Sequence, residues 1–400
     1  MDRAFDVVVV GGGIVGLATA RAVLQARPTL RLLVIEKEAA IATHQSGRNS
    51  GVIHSGIYYR PGTLKARLAV EGRIAMVEFC AEHGIAHETC GKVIVALDDT
   101  ELARAEVLLE HAATSGVRAE RIGVERLHEL EPHATGVGGI LVRDTGIVDF
   151  VAVARVLADH VVANGAELRL STRVLDVIEL SDRVVVETDG GPVETRALVN
   201  CAGLQCDEVA RRVLGPKPDV RIVPFRGEYH ELVPERRYLV NNLVYPVPDP
   251  ELPFLGVHLT RGVHGGVHVG PNAVLALSRE GYRWGAIEWR EVGRLVRYPG
   301  FRKMARRFWK VGIHEVRRSV RKRSMVAALR RLVPDIRTND LVAAPAGVRA
   351  QAVARDGRLL DDFELRETAR SVHVLNAPSP AATASLVIGR ELATRVLERV

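Results

Sequence analysis

Gly11, Gly13 and Gly16, with Glu36 twenty residues beyond the last of them, have the types and spacing to hold a dinucleotide. The first glycine permits a tight turn, the second lets backbone approach a pyrophosphate, and the third allows close helix–strand packing. Ile14 and Val15 open the following segment, where exposed backbone N–H groups would meet the phosphates. Glu36, followed by Lys37, can accept hydrogen bonds from the hydroxyls of an adenosine ribose. An acid there favours an unphosphorylated ribose, so FAD or NAD over NADP. The fingerprint alone does not separate those two.

These residues need a strand, a helix and a second strand to position them, and the sequence supplies each in order. Phe5 to Val10 is a continuous β-branched run, as expected of a strand buried on both faces of a parallel sheet. Leu17 to Ala26 is rich in alanine and leucine and reads as a helix. Leu30 to Ile35 reads as the second strand, closed by Glu36. A nicotinamide-binding unit would next return to its sheet through a helix and a third strand. Instead the stretch His44, Gln45, Ser46, Gly47, Arg48, Asn49, Ser50, Gly51, Val52, Ile53, His54 is a polar, glycine-punctuated loop. Such a loop suits the extended pyrophosphate–ribitol–isoalloxazine half of FAD, which needs many backbone and hydroxyl contacts.

The whole chain is compatible with a soluble enzyme. Its 400 residues argue for two domains at roughly 100–200 residues each. Apolar residues make up 47% and charged residues 26%, too apolar for a disordered chain. Cys80, Cys90, Cys201 and Cys206 form no CxxC pair, which argues against a disulfide framework or a thiolate zinc site and fits a reducing compartment. No metal site is expected. The apolar run from Val7 to Ala20 is interrupted by glycines and too short to span a bilayer. Asp2-Arg3 leads straight into the first strand, so no targeting peptide is expected. Net charge is +7, concentrated between Arg279 and Arg331, where 17 Lys/Arg face four Glu. Trp284, Trp289 and Trp309 all fall in that window, with Tyr298, Phe301 and Phe308. Basic residues mixed with aromatics suit an anionic lipid surface, a phosphate backbone, or simply a solvated helical face whose aromatics belong to the core.

From the loop onward the sequence resembles a known family. The fingerprint followed by HQSGRNSGVIHSGIYY is similar to the FAD-dependent oxidoreductases of the D-amino-acid-oxidase superfamily, and within it to the L-2-hydroxyglutarate oxidase/dehydrogenase family. Further blocks run along the chain: Cys90-Gly91-Lys92, Gly146 to Asp149, PFRGEY from Pro224, YPVPDP from Tyr245, LGVHLTR from Leu255, GPNA from Gly270, PAGVRAQ from Pro345 and NAPSPAAT from Asn376. Only the 279–331 segment carries no matching block.

The resemblance implies an α/β fold with an α+β insertion, in which a Rossmann-like FAD-binding domain is interleaved with an antiparallel-sheet substrate domain. The expected division is 1–80, 140–215 and 335–400 for FAD, against 81–139 and 216–334 for substrate. The sequence independently offers a small meander over 167–200 that returns to the nucleotide sheet. It also offers short alternating strands over 221–269 and a helix from about 381 to 398. By the resemblance, Val174 contacts the adenine, and Cys201-Ala202-Gly203 makes a second glycine turn beside FAD. Pro378, Ser379, Ala381 and Thr383 lie against the flavin.

The activity implied is oxidation of L-2-hydroxyglutarate to 2-oxoglutarate, with hydride passing to the flavin and electrons then to a membrane quinone or dioxygen. Histidine suits the proton-accepting role, and His54 and His258 are the candidates. A dicarboxylate asks for two clamps. Arg349, in a glycine-flanked turn, faces substrate or flavin, and Arg261 is a candidate for the other carboxylate. Tyr58, Tyr59 and Tyr245 could donate hydroxyls. The same fold acting on glycerol 3-phosphate or an amino acid is the nearest alternative. A flavin-containing RNA-binding or RNA-modification protein is another, though no nucleic-acid motif is found. The expected location is cytoplasmic, with peripheral contact at the cytoplasmic membrane through 279–331.

Overall fold

Phe5–Val10 forms β1, with Val7, Val8 and Val9 fully buried, as a β-branched run covered on both faces should be. It pairs in parallel with β2, Leu32–Ile35, and the helix between them, α1, spans Ile14–Ala26. The structure, a computed structural model, describes residues 4–216, 219–249, 256–270 and 272–400, apart from the side chains of Arg318 and Val320. Asp2 and Arg3, and Pro250, Leu255 and Pro271 of the blocks quoted above, lie outside the described residues.

On the other side of β1 runs the ten-residue strand Gly191–Asn200, which has three neighbours. Its first half pairs antiparallel with Val184–Thr188, completing the meander that begins at Val174–Glu179. Its second half lies parallel between β1 and Ser371–Asn376. Glu167–Arg169 closes the far edge beside β2, and Glu364–Glu367 pairs antiparallel with Ser371–Asn376, giving eight strands. The last helix, Ser385–Leu397, packs on α1. Gly389 permits the approach, since a Cβ there would lie 2.6 Å from the carbonyl carbon of Ala18. The helix begins four residues later than the sequence suggests; Ala381 to Ala384 form turns, and Ala381 and Ala382 line the cavity described below.

A second eight-stranded sheet is antiparallel except at one joint, where Leu243–Pro246 runs parallel to Lys92–Ala96. The stretch 221–269 therefore does not make one antiparallel sheet. Val220–Gly227 leaves it to pair over eight residues with Gly347–Ala354, while 230–269 joins the larger sheet. PAGVRAQ is likewise not a turn: from Gly347 onward it is strand, because every residue of that strand finds a partner on Val220–Gly227.

The basic window is helical: Trp289–Arg297, Pro299–Val320 and Lys322–Leu329. Its aromatics divide. Tyr298, Phe301 and Phe308 pack with Val223 and Val353, whereas Trp289 is 75% exposed and Trp309 56%. Arg279 enters the interior, where it pairs with Asp207 and, at 3.0 Å, with Glu291; all three are buried. Among the described residues no helix is long and apolar enough to cross a membrane.

Candidate active site

At the carboxyl end of β1 a cavity of about 430 Å³ opens between the amino end of α1, the 44–46 loop, the 172–175 segment and the 201–209 turn and helix. The glycines shape it. Gly11 has φ +113°, and a Cβ there would lie 2.4 Å from the Cys201 carbonyl oxygen. A Cβ at Gly16 would lie 2.0 Å from the Gly11 oxygen, so no other residue fits without moving backbone. The Gly12 N–H donates to Glu36 Oε2 at 2.8 Å and the Glu38 N–H to Glu36 Oε1 at 2.8 Å. This fixes the carboxylate at the rim and leaves lone pairs for two vicinal hydroxyls. Ser46 Oγ accepts the Ile14 N–H at 2.9 Å, so the loop itself caps the start of α1. A Cβ-free floor, a helix amino end and a rim carboxylate fit a dinucleotide diphosphate and its ribose.

The cavity wall takes in most of the residues expected to hold FAD: Gly11, Gly13, Ile14, Val15, Glu36, Lys37, His44, Gln45, Ser46, Val174, Cys201, Ala202, Gly203 and Ala381. Gly16 lies behind Gly11. Gln45 joins the two ends of the wall by accepting the Ala350 N–H at 3.1 Å. Asn49, Ser50 and Gly51 instead line a neighbouring cavity of about 390 Å³. There the Asn49 amide donates to the Gln45 and Ser46 carbonyls and so shapes the loop from behind. Val52 is buried in a short strand, where Thr383 Oγ1 donates to its carbonyl at 3.2 Å and accepts the His54 N–H at 3.1 Å. Thr383 thus fixes the backbone on either side of Ile53. Sequence reasoning missed Glu280 and Tyr282. Lys37 lies 2.8 Å from Glu280, the Tyr282 hydroxyl lies 2.6 Å from His44 Nδ1, and Arg48 covers the Tyr282 ring. Glu38, His44 and Glu280 are close enough together to hold a cation, but the Lys37 ammonium already sits among them. No motif flagged these residues, because they fall in the one segment without a matching block.

The other end of the site gathers His54, His258, Tyr58, Tyr59, Tyr229, Tyr245, Arg349 and Lys92. His54 Nε2 is 3.4 Å from Ser379 Oγ, beside Pro378. Burial, helped by Lys92, His258, Lys65 and Arg349, lowers the His54 pKa to about 3. Burial likewise lowers His258 to about 4, against the bond of its Nδ1 to the Gly256 carbonyl at 2.9 Å. That bond requires the proton on Nδ1, leaving Nε2 as an acceptor. Both imidazoles are neutral at physiological pH. The His258 ring also lies on Tyr245, centroids 4.3 Å apart, and the Tyr245 hydroxyl is 3.2 Å from Thr260 Oγ1. Burial raises the Tyr58, Tyr59, Tyr229 and Tyr245 hydroxyls above their ordinary range, so they are protonated donors.

Arg261 does not join this group. His258, just ahead of the strand Leu259–Arg261, and Thr260 within it both meet Tyr245, and alternation turns Arg261 to the other face. There it pairs with Glu88 at 2.6 Å. Lys92 does join it, and sequence reasoning passed it over. A lysine opening the run Lys-Val-Ile-Val-Ala reads as the wet end of a strand, yet it is 1% exposed.

A family model described as FAD dependent oxidoreductase matches residues 6–395. The L-2-hydroxyglutarate dehydrogenase of Indibacter alkaliphilus is 46% identical over 396 residues, covering 99% of each chain. That of Escherichia coli K12 is 42% identical over 393 residues, covering 98% of this chain and 93% of the relative. Among solved structures, the L-alpha-glycerophosphate oxidase of Mycoplasma pneumoniae with FAD bound superposes with a TM-score of 0.80 at 22% identity, covering 99% of this chain and 95% of that one. Glycine oxidase of Geobacillus kaustophilus superposes with a TM-score of 0.73 at 18% identity, covering 99% and 95%. At those identities the likeness is one of fold.

Proposed function

We infer the function from one premise: this chain belongs to the family of FAD-dependent oxidoreductases. We propose that it oxidises L-2-hydroxyglutarate to 2-oxoglutarate. The observation that carries this is near-full-length identity of 46% to a relative bearing that activity in its name. The neutral histidines and the cationic groups around them support it.

When bound, FAD supplies the two-electron acceptor for the hydride that leaves the substrate Cα. The remaining work falls to this chain. His54, held by Thr383 at its backbone and by Ser379 near Nε2, accepts the hydroxyl proton; His258 Nε2 is the second acceptor in reach of the same cluster. Arg349, flanked by Tyr59 and Tyr229, takes the carboxylate next to the reacting carbon. The tyrosine hydroxyls donate to substrate oxygens and exclude water.

For the finer organisation we place FAD binding in 1–80, 140–215 and 335–400 and substrate binding in 81–139 and 216–334. Leu341–Ala343 and Gly347–Ala354 cross into the sheets of the second part. We assign a membrane quinone as electron acceptor ahead of dioxygen. The exposed Trp289 and Trp309 on basic helices support contact with an anionic lipid surface.

Anaerobic mixing with L-2-hydroxyglutarate, its D enantiomer, glycerol 3-phosphate and several amino acids tests the substrate. Loss of flavin colour with the L acid alone is the expected outcome; bleaching by glycerol 3-phosphate or an amino acid instead replaces it. Sedimentation with anionic liposomes at low salt tests the surface, and protein left in the supernatant removes the membrane assignment.

A further inference from the structure

Lys92 is buried. Among the described residues its ammonium makes no hydrogen bond or ion pair. It lies 4.1 Å from the Tyr58 ring centroid and 5.0 Å from that of Tyr245. Cation–π contacts return only part of what desolvating an ammonium costs. Beside it the Tyr58 hydroxyl is buried and, among the described residues, has no hydrogen-bond partner. The charges acting on neighbouring His54 come from Lys92, His258, Lys65 and Arg349, all basic. Lys65 has Asp361 and Asp362 near it; Lys92 has no such carboxylate. Two orphaned donors, an ammonium and a phenol, thus share one wall of the reacting cluster.

We propose that Lys92 Nζ and Tyr58 Oη form the subsite for the second carboxylate of the substrate, and so select dicarboxylates over monocarboxylates. This rests on the reading that the substrate is a 2-hydroxy dicarboxylate. Arg349 holds the carboxylate at the reacting carbon, and Lys92 the one at the far end of the chain. An anion placed there gives the ammonium its missing partner and the phenol its acceptor.

Glutarate and butyrate, neither oxidisable at a hydroxyl, separate binding from turnover. Each is titrated into the holoenzyme while the visible flavin spectrum is followed. Wild type binds glutarate more tightly than butyrate. In Lys92→Met that preference falls about 30-fold or more, as for a buried charge pair losing one partner, and Lys92→Arg restores part of it. The proposal is overturned if wild type does not prefer glutarate, or if Lys92→Met weakens both acids equally. Should the variants fail to fold, the wild type still decides through pH. Facing Lys92 are Tyr58 and Tyr245, pushed up, and His54 and His258, pushed down to about 3 and 4; Arg349 and the Asp-paired Lys65 add fixed charge. Burial brings Lys92 itself to about 7. Glutarate binding therefore takes up a proton and weakens above neutrality while butyrate binding does not; glutarate affinity that nowhere falls relative to butyrate between pH 7 and 11 overturns the proposal. If wild type bleaches with some acid other than L-2-hydroxyglutarate yet selects glutarate through Lys92, the substrate reading fails and the subsite stands.

Discussion

At the residue scale, the site is built from groups whose charge has been suppressed. His54 is neutral and its imidazole reaches Ser379, so His54→Gln should retain flavin colour while slowing anaerobic bleaching about 10²–10⁴-fold. Colour lost along with activity would move His54 to a cofactor-holding role. Lys92 carries a stability cost. Its pKa falls from 10.5 to about 7, so between those values the unfolded chain holds a proton that the folded one lacks. Stability therefore rises as pH climbs through that window; the deficit, a few kcal/mol, is full below pH 7 and nearly so at pH 7. Lys92→Met should raise the Tm at neutral pH; a lower Tm would make the lysine a structural member of its pocket. His54 and Arg349 were legible because motif blocks surround them. Lys92 stands in the block Cys90-Gly91-Lys92, yet its burial is not legible there, since it depends on Tyr58 and Tyr245, which only the folded sheet brings over it.

At the element scale, the first strand and the end of the following helix were legible to the residue, because steric rules act locally there, while the helix starts at Ile14, three residues ahead of Leu17. Gly16→Ala tests those rules. With its Cβ 2.0 Å from the Gly11 oxygen, the variant should be purified without visible absorbance while its secondary structure, judged by circular dichroism, persists. The final helix and the Gly347 strand were misjudged by a few residues or in type, since their partners, α1 and Val220–Gly227, come from remote parts of the chain. The basic window shows the same limit more strongly. Composition exposed its charge but not that Arg279 turns inward to Asp207 and Glu291. Arg279→Met leaves Asp207 buried without its cation and Glu291 with only the more distant Arg221 and Arg294, and denaturant unfolding should show a loss of about 3–5 kcal/mol.

At the scale of the whole molecule, the interleaving of two sheet systems was anticipated by resemblance, whereas the exchange of single strands between them was not, because pairing of such short strands is decided by burial and not by local preference. Buried neutral histidines give the assembly an acid limit. His54, His258 and His373 are lowered to about 3, 4 and 4, so the unfolded chain takes up their protons first as pH falls below 6.5. Glu131, raised to about 7 by burial, opposes one of them. The net of about two protons predicts roughly 3 kcal/mol lost per pH unit between about 6 and 5. Unfolding free energies that stay flat across that range would contradict it.

The strand Gly191–Asn200 is stitched to Val184–Thr188, to β1 and to Ser371–Asn376 at once. Freeing that strand means breaking all three pairings together. Its inner amides, transferred to heavy water, should be the slowest in the chain to trade hydrogen for deuterium, and their rate would report the free energy of complete unravelling.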